Sequence, residues 1–245
     1  MFLVWKSSVY RPTHDIDFLG NTTNDLGTVT RIFQSVCEQE VAPDGLTFDS
    51  QTVRSVLLKG NTNYQGVRVK LLGYLGKAQV SIQIDLGFGD IVSPAPIMLE
   101  YPTILQMPAP NIRGYTPDSV VAEKLQALVY LGKINSRMKD FYDLWVLAKQ
   151  FEFDGQRLQD AISATFRTRS TGLPKETPTG LGDSFAIENQ AQWQAFIQRT
   201  NLESVPGSFS DISQVLNSFL IPPMHATAHG YKFKGKWEPG GPWKY

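Results

Sequence analysis

The chain has 245 residues, with 42% hydrophobic and 19% charged side chains, so it can bury a substantial core and is neither a disordered polymer nor a coiled coil. Lysine plus arginine and aspartate plus glutamate stand at 23 each, so any nucleic-acid contact must come from a local patch rather than from global charge. A single cysteine, Cys37, excludes an internal disulfide, and with three scattered histidines it cannot build a zinc site. This usage fits an intracellular, cytoplasmic location. No apolar run approaches the ~20 residues of a membrane helix. The apolar start Met1-Phe2-Leu3-Val4-Trp5 is too short for a signal-peptide core and reads like a buried segment whose beginning is missing.

In chain order, Asp15-Ile16-Asp17-Phe18-Leu19 alternates like a strand, with Ile16 and Phe18 expected on its apolar side. Thr23 or Asn24 is placed to cap a helix running to about Gln39, with Leu26, Val29, Ile32, Phe33 and Val36 on one face. The segments Val53–Leu58, Gly66–Tyr74 and Ala78–Asp85 read as an antiparallel meander, with connections at Gly60-Asn61 and Gly76-Lys77. Pro94 to Pro110 is proline-rich and reads as a linker or crossing segment. Helical periodicity then takes over: from Pro117 or Asp118 to about Gly132, from Lys139 to Phe151, and over 156–166, 187–199 and 209–220. Thr168 to Asp183 reads as a loop. Pro222-Pro223 and Gly230 argue against a helix around His225 and His229, which read as surface residues. The basic, aromatic tail with Trp237, Trp243 and Tyr245 reads as a strap packed on the body rather than an RNA-stacking arm.

The carboxylates carry the chemistry. Residues two apart in a strand share a face about 6.5–7 Å apart, so Asp15 and Asp17 project together. In Val80-Ser81-Ile82-Gln83-Ile84-Asp85 the polar set Ser81, Gln83 and Asp85 shares the other strand's polar face. If those faces are neighbours in one sheet, three carboxylates converge, an oxygen-ligand set that suits magnesium or manganese bridged by substrate phosphates. The plainer alternative is that Asp15 and Asp17 sit at a solvated turn while Asp85 caps a loop. Cys37 has no neighbouring base to make it a nucleophile, and Gly87-X-Gly89 is too short for a dinucleotide fingerprint.

Four stretches, taken together, resemble the AbiEii-type nucleotidyltransferases, the toxin family of type IV toxin–antitoxin systems. They are Arg11-Pro12-Thr13-His14-Asp15-Ile16-Asp17-Phe18, Ile84-Asp85-Leu86-Gly87-Phe88-Gly89-Asp90, Ala122-Glu123-Lys124-Leu125 and Asn135-Ser136-Arg137-Met138-Lys139-Asp140-Phe141-Tyr142-Asp143. They stand in the family's order and cover roughly residues 5–150. The resemblance implies an α+β fold, a polymerase-β-like mixed sheet domain over 1–110 followed by a helical domain over 111–245. It also implies Asp15, Asp17 and Asp85 as ligands of magnesium or manganese, Lys124 and Asp140 as an essential pair, and Lys124 with Arg137 on the nucleotide. The substrate would be a nucleoside triphosphate, the acceptor tRNA, and the partner a cognate antitoxin. Read from the residues alone, Lys124 lies along an apolar helical stripe and either snorkels to solvent or reaches inward to phosphate. Asp140 lies on a buried-looking stripe and can orient Lys124 or Arg137, while an Arg137 or Lys139 pair with Asp143 at the surface is the bland reading. Family members carry Gly-Gly or Gly-Ser upstream of the Asp-X-Asp strand, and this chain does not. That departure is expected of a longer protein cut short, or of a shortened relative that binds a nucleotide or partner without chemistry.

Overall fold

The computed structural model describes residues 15–58, 66–89, 92–103 and 106–245, and for Asp15 the backbone only. The Met1–Trp5 start, Arg11 to His14 and the Gly60-Asn61 connection lie outside the described residues. The chain divides into two compact units, one reaching to Asp90 and the other running from Ile91 to Tyr245.

The first unit is a four-stranded mixed sheet in the order β1-β4-β3-β2. Its strands are β1 (Asp15–Gly20), β2 (Leu46–Leu58), β3 (Gly66–Leu75) and β4 (Ala78–Phe88), and helix α1 (Leu26–Cys37) packs on β2. Strands β2, β3 and β4 form the expected antiparallel meander, and β1 joins β4 in parallel. The N-cap of α1 is Asp25, one residue later than expected, because its carboxylate accepts from Thr28 N–H at 2.7 Å. Val29 is buried, and Leu26, Phe33 and Cys37 pack with it against Val53, Val67, Val69, Leu71, Ile84 and Leu86. Ile32 and Val36, expected in that stripe, are exposed on its flank. On β1, Ile16 joins the core, whereas Phe18 stays 45% exposed near the strand's end.

In the second unit the proline-rich segment is not a bare linker: it contains strand β5 (Ile97–Glu100), which pairs antiparallel with β6 (Asn111–Gly114) just beyond Pro110. The boundary expected at 110/111 would fall just ahead of β6, whereas both strands belong to this unit. Helices α2 (Pro117–Leu131), α3 (Met138–Gln150), α4 (Gly155–Thr168), α5 (Asp183–Glu188), α6 (Gln190–Thr200) and α7 (Phe209–His229) follow. The single helix expected over 187–199 is split at Asn189, whose side-chain amide donates to Phe185 C=O at 2.9 Å. Helix α2 starts on Thr116, whose hydroxyl accepts from Ser119 N–H, and it stops at Gly132 with φ 51°. It is tied to α4 at both ends: Arg157 Nε donates to Asp118 at 2.9 Å, and Arg169 Nη1 donates to Gln126 at 3.0 Å.

Helix α7 overturns the expectation drawn from Pro222-Pro223, since it runs through both prolines to His229. Proline removes the N–H that would have bonded the carbonyl four residues back. For Pro223 that carbonyl belongs to Phe219, and the Trp243 indole N–H supplies the missing donor at 2.9 Å. His225 is thereby helical and only half-buried, while His229 is exposed. The tail is the expected strap. Short strands β7 (Phe153–Asp154), β8 (Lys236–Trp237) and β9 (Trp243–Lys244) form a small sheet, and Trp237 Nε1 and Gly240 N both donate to Ala148 C=O in the last turn of α3. Gly155 allows the close pass of the strap, because a Cβ there would stand 2.6 Å from Gly235 C=O. Replacing Trp243 by Phe keeps a ring but orphans the Phe219 carbonyl. We expect a loss of roughly 1–3 kcal/mol, read as a Tm lower by about 2–4 °C per kcal/mol for a chain of this size. An unchanged Tm would mean the carbonyl has another donor.

Candidate functional site

The described candidates fall into two clusters, one in each unit. In the sheet, the parallel register sets Asp17 directly beside Asp85 and Asp15 beside Gln83. Paired residues of adjacent strands point to the same face, so Asp17 and Asp85 share the sheet's open face, opposite the core that α1 covers. Neither residue caps a loop or sits at a turn. Asp17 is exposed and Asp85 half-buried.

Sequence reading missed the group that meets Asp85. Across the β3–β4 ladder Arg68 is its register partner. Arg68 Nε and Nη2 donate to the two oxygens of Asp85, each at 2.7 Å, a bidentate charge-assisted pair. The signal was present in the sequence. Gly76-Lys77 is a two-residue turn, with Gly76 at φ 58°, and counting eight residues outward from it reaches Arg68 on one side and Asp85 on the other.

The donor set suits a hard divalent cation in kind, since Asp17 and Asp85 offer only carboxylate oxygens from adjacent strands. Among the described residues no group of three or more histidine, cysteine or acidic side chains gathers closely enough to hold a metal ion. The side chain of Asp15, the expected third ligand, lies outside the described residues.

In the helical unit Lys124 reaches inward rather than snorkelling. Its ammonium donates to Asp140 at 2.6 Å and stands 2.8 Å from Asp143, with the lysine side chain 19% exposed. Burial alone would pull the Lys124 pKa down, but the Asp143 and Asp140 carboxylates outweigh it and hold it above the ordinary lysine value. Arg137 lies 3.9 Å from Asp140 and is mostly exposed. Asp143, expected at the surface with Arg137 or Lys139, is a buried partner of Lys124 instead. It stands three residues after Asp140 on α3, and residues three apart in a helix are neighbours on one face. The cluster of Lys124, Asp140 and Asp143 counts one cation against two carboxylates, with the Arg137 guanidinium at its rim beside Asp140.

A mixed sheet with paired carboxylates on its open face, followed by a helical unit, is an α+β fold of the nucleotidyltransferase type. The family described as nucleotidyl transferase AbiEii toxin, of the type IV toxin–antitoxin system, matches residues 1–217. The chain belongs to that family. Two crystal structures from Helicobacter pylori are similar to it over 93% of its length, each at 12% identity and a TM-score of 0.42. One is JHP933, of which 82% is covered, and the other is covered over 84%. No curated protein matches. No helix among the described residues is long and apolar enough to cross a membrane.

Proposed function

We propose that this protein transfers a nucleotide monophosphate from a nucleoside triphosphate to an acceptor hydroxyl, as the toxin of a toxin–antitoxin pair. The observation that carries the reading is the register of Asp17 with Asp85 on one exposed sheet face. Two like charges held side by side repel unless a cation or positive partner joins them. Arg68 answers for Asp85, and no ion pair involving Asp17 occurs among the described residues.

Asp15, Asp17 and Asp85 would hold magnesium or manganese, which supplies charge neutralisation at the phosphates and activation of the acceptor oxygen. The chain's own residues do the rest. Arg68 fixes the rotamer of Asp85, so that the carboxylate is presented in one orientation. Asp140 and Asp143 each hold the Lys124 ammonium, leaving its third proton for a phosphate oxygen. Arg137, exposed beside Asp140, is the second cation that this reading assigns to the nucleotide. The acceptor in this reading is tRNA, and a cognate antitoxin is the protein partner in the cytoplasm.

The test is incorporation of label. The chain is incubated with each labelled nucleoside triphosphate in turn, with total tRNA and magnesium or manganese. We expect label on RNA with one or more nucleotides, and none after chelation by EDTA. Failure with every nucleotide by a folded chain would favour the second reading, a relative that binds a nucleotide or partner without chemistry.

A further inference from the structure

Beyond the carboxylates, the same open face of the sheet carries a row of cations. Lys70 is the register partner of Gln83 on one side and of Arg54 on the other. Arg54 and Lys70 therefore share the face of Asp17 and Asp85, one step further along the strands. Arg68 lies on it too, two residues from Lys70. Both Arg54 and Lys70 are exposed. Like charges directly opposite across a ladder destabilise a sheet, and neither side chain makes an ion pair with a described residue. Among the described residues Arg54 donates to the backbone carbonyls of Gln51 and Val53, each at 2.8 Å. The next acidic residue along β2, Asp49, accepts instead from Gln51 N–H at 2.9 Å.

We propose that Arg54 and Lys70 form a phosphate-binding strip that takes the sugar–phosphate backbone of an RNA acceptor. The proposal rests on the nucleotidyltransferase reading for its direction: the strip begins beside Asp85 and runs away from β1 across β3 to β2. Strands lie about 4.8 Å apart, so Arg54 stands two strands, or about 10 Å, to the side of β4. Cations spread over that width match a repeating polyanion better than the compact triphosphate, which the carboxylate end of the face would hold. Arg68 is committed to Asp85, which leaves Arg54 and Lys70 as the two backbone contacts. Such contacts position the acceptor without reading its sequence.

The experiment measures binding without turnover. An RNA oligonucleotide with blocked terminal hydroxyls is titrated into the parent and into the Arg54→Ala/Lys70→Ala variant, with EDTA and no nucleotide, over a range of salt. Two lost phosphate contacts should weaken binding about tenfold near physiological salt and flatten the log–log salt slope by roughly 1.4. Affinity for nucleoside triphosphate should stay as in the parent. Unchanged RNA affinity, or a loss confined to the triphosphate, would overturn the proposal. So would a parent that binds no RNA. Since no transfer is involved, an inactive parent that still binds RNA through this strip would sink only the catalytic reading.

Discussion

Asp17→Asn is expected to abolish nucleotide transfer while leaving the fold nearly untouched. The residue is exposed on the edge strand β1 and contributes nothing to the core that α1 covers. Asparagine keeps its shape and removes one of two like charges that face each other across the β1–β4 ladder. Surface changes of this kind fall within about 0.5 kcal/mol, so the Tm should hold or rise slightly. A catalytic cation is worth several kcal/mol of transition-state charge stabilisation, which is forfeited when a carboxylate that holds it is lost. About 4 kcal/mol corresponds to roughly a thousandfold in rate. Transfer and Tm are measured on the same preparation. Transfer at the parent's rate would remove Asp17 from the reaction and with it the proposed cation site.

That experiment probes the part of the molecule that was most legible. Alternation of apolar and polar residues in Val80–Asp85 and in Asp15–Leu19 places the carboxylates on polar faces, and strand pairing places the faces together. Arg68 was equally legible from the Gly76-Lys77 turn, but it becomes visible only when the register is counted across two strands rather than along one. Asp143 was lost for a different reason. Its neighbours Arg137 and Lys139 offer local partners, and the actual partner, Lys124, comes from another helix. Local patterns favour nearby pairs, whereas burial is decided by packing between helices. Phe18 shows the converse: alternation assigns it to the face of its register partner Leu86, yet its side chain stays exposed near the strand's end.

Helix α7 went wrong through a rule that is sound in isolation. Two prolines remove two backbone donors and should end a helix. Here Phe219 C=O finds Trp243, twenty-four residues along the chain, and the helix continues. A strap that packs back on the body cannot be seen from the periodicity of the helix it repairs. The β5–β6 pair around the proline-rich segment has the same character, since its strands are four residues each and their pairing is settled by partners rather than by propensity.

Lys124→Ala is expected to be the most destabilising single change among the candidate residues. It removes the shared cation from two carboxylates, Asp140 and Asp143, both nearly inaccessible to water. Breaking a buried ion pair by deleting one partner costs about 3–5 kcal/mol, because the remaining charge is left without compensation. The pH dependence follows from the direction of the Lys124 shift. A folded-state pKa held above the ordinary 10.5 means the lysine's contribution is complete below its unfolded value and disappears as pH rises through the folded one. The gap between parent and variant should therefore be flat near neutrality and narrow in strong alkali. Urea unfolding from neutral pH into alkali reads both limbs, and a gap that stays constant into strong alkali would contradict the buried cluster.

Stability and chemistry can then be separated at the same position. Lys124→Met combined with Asp140→Asn and Asp143→Asn leaves no buried charge to compensate, so most of the lost stability should return. A stable triple variant without transfer would assign Lys124, Asp140 and Asp143 to the reaction. If transfer returned with stability, the cluster would be a pin between α2 and α3, and the phosphate contacts would have to come from elsewhere.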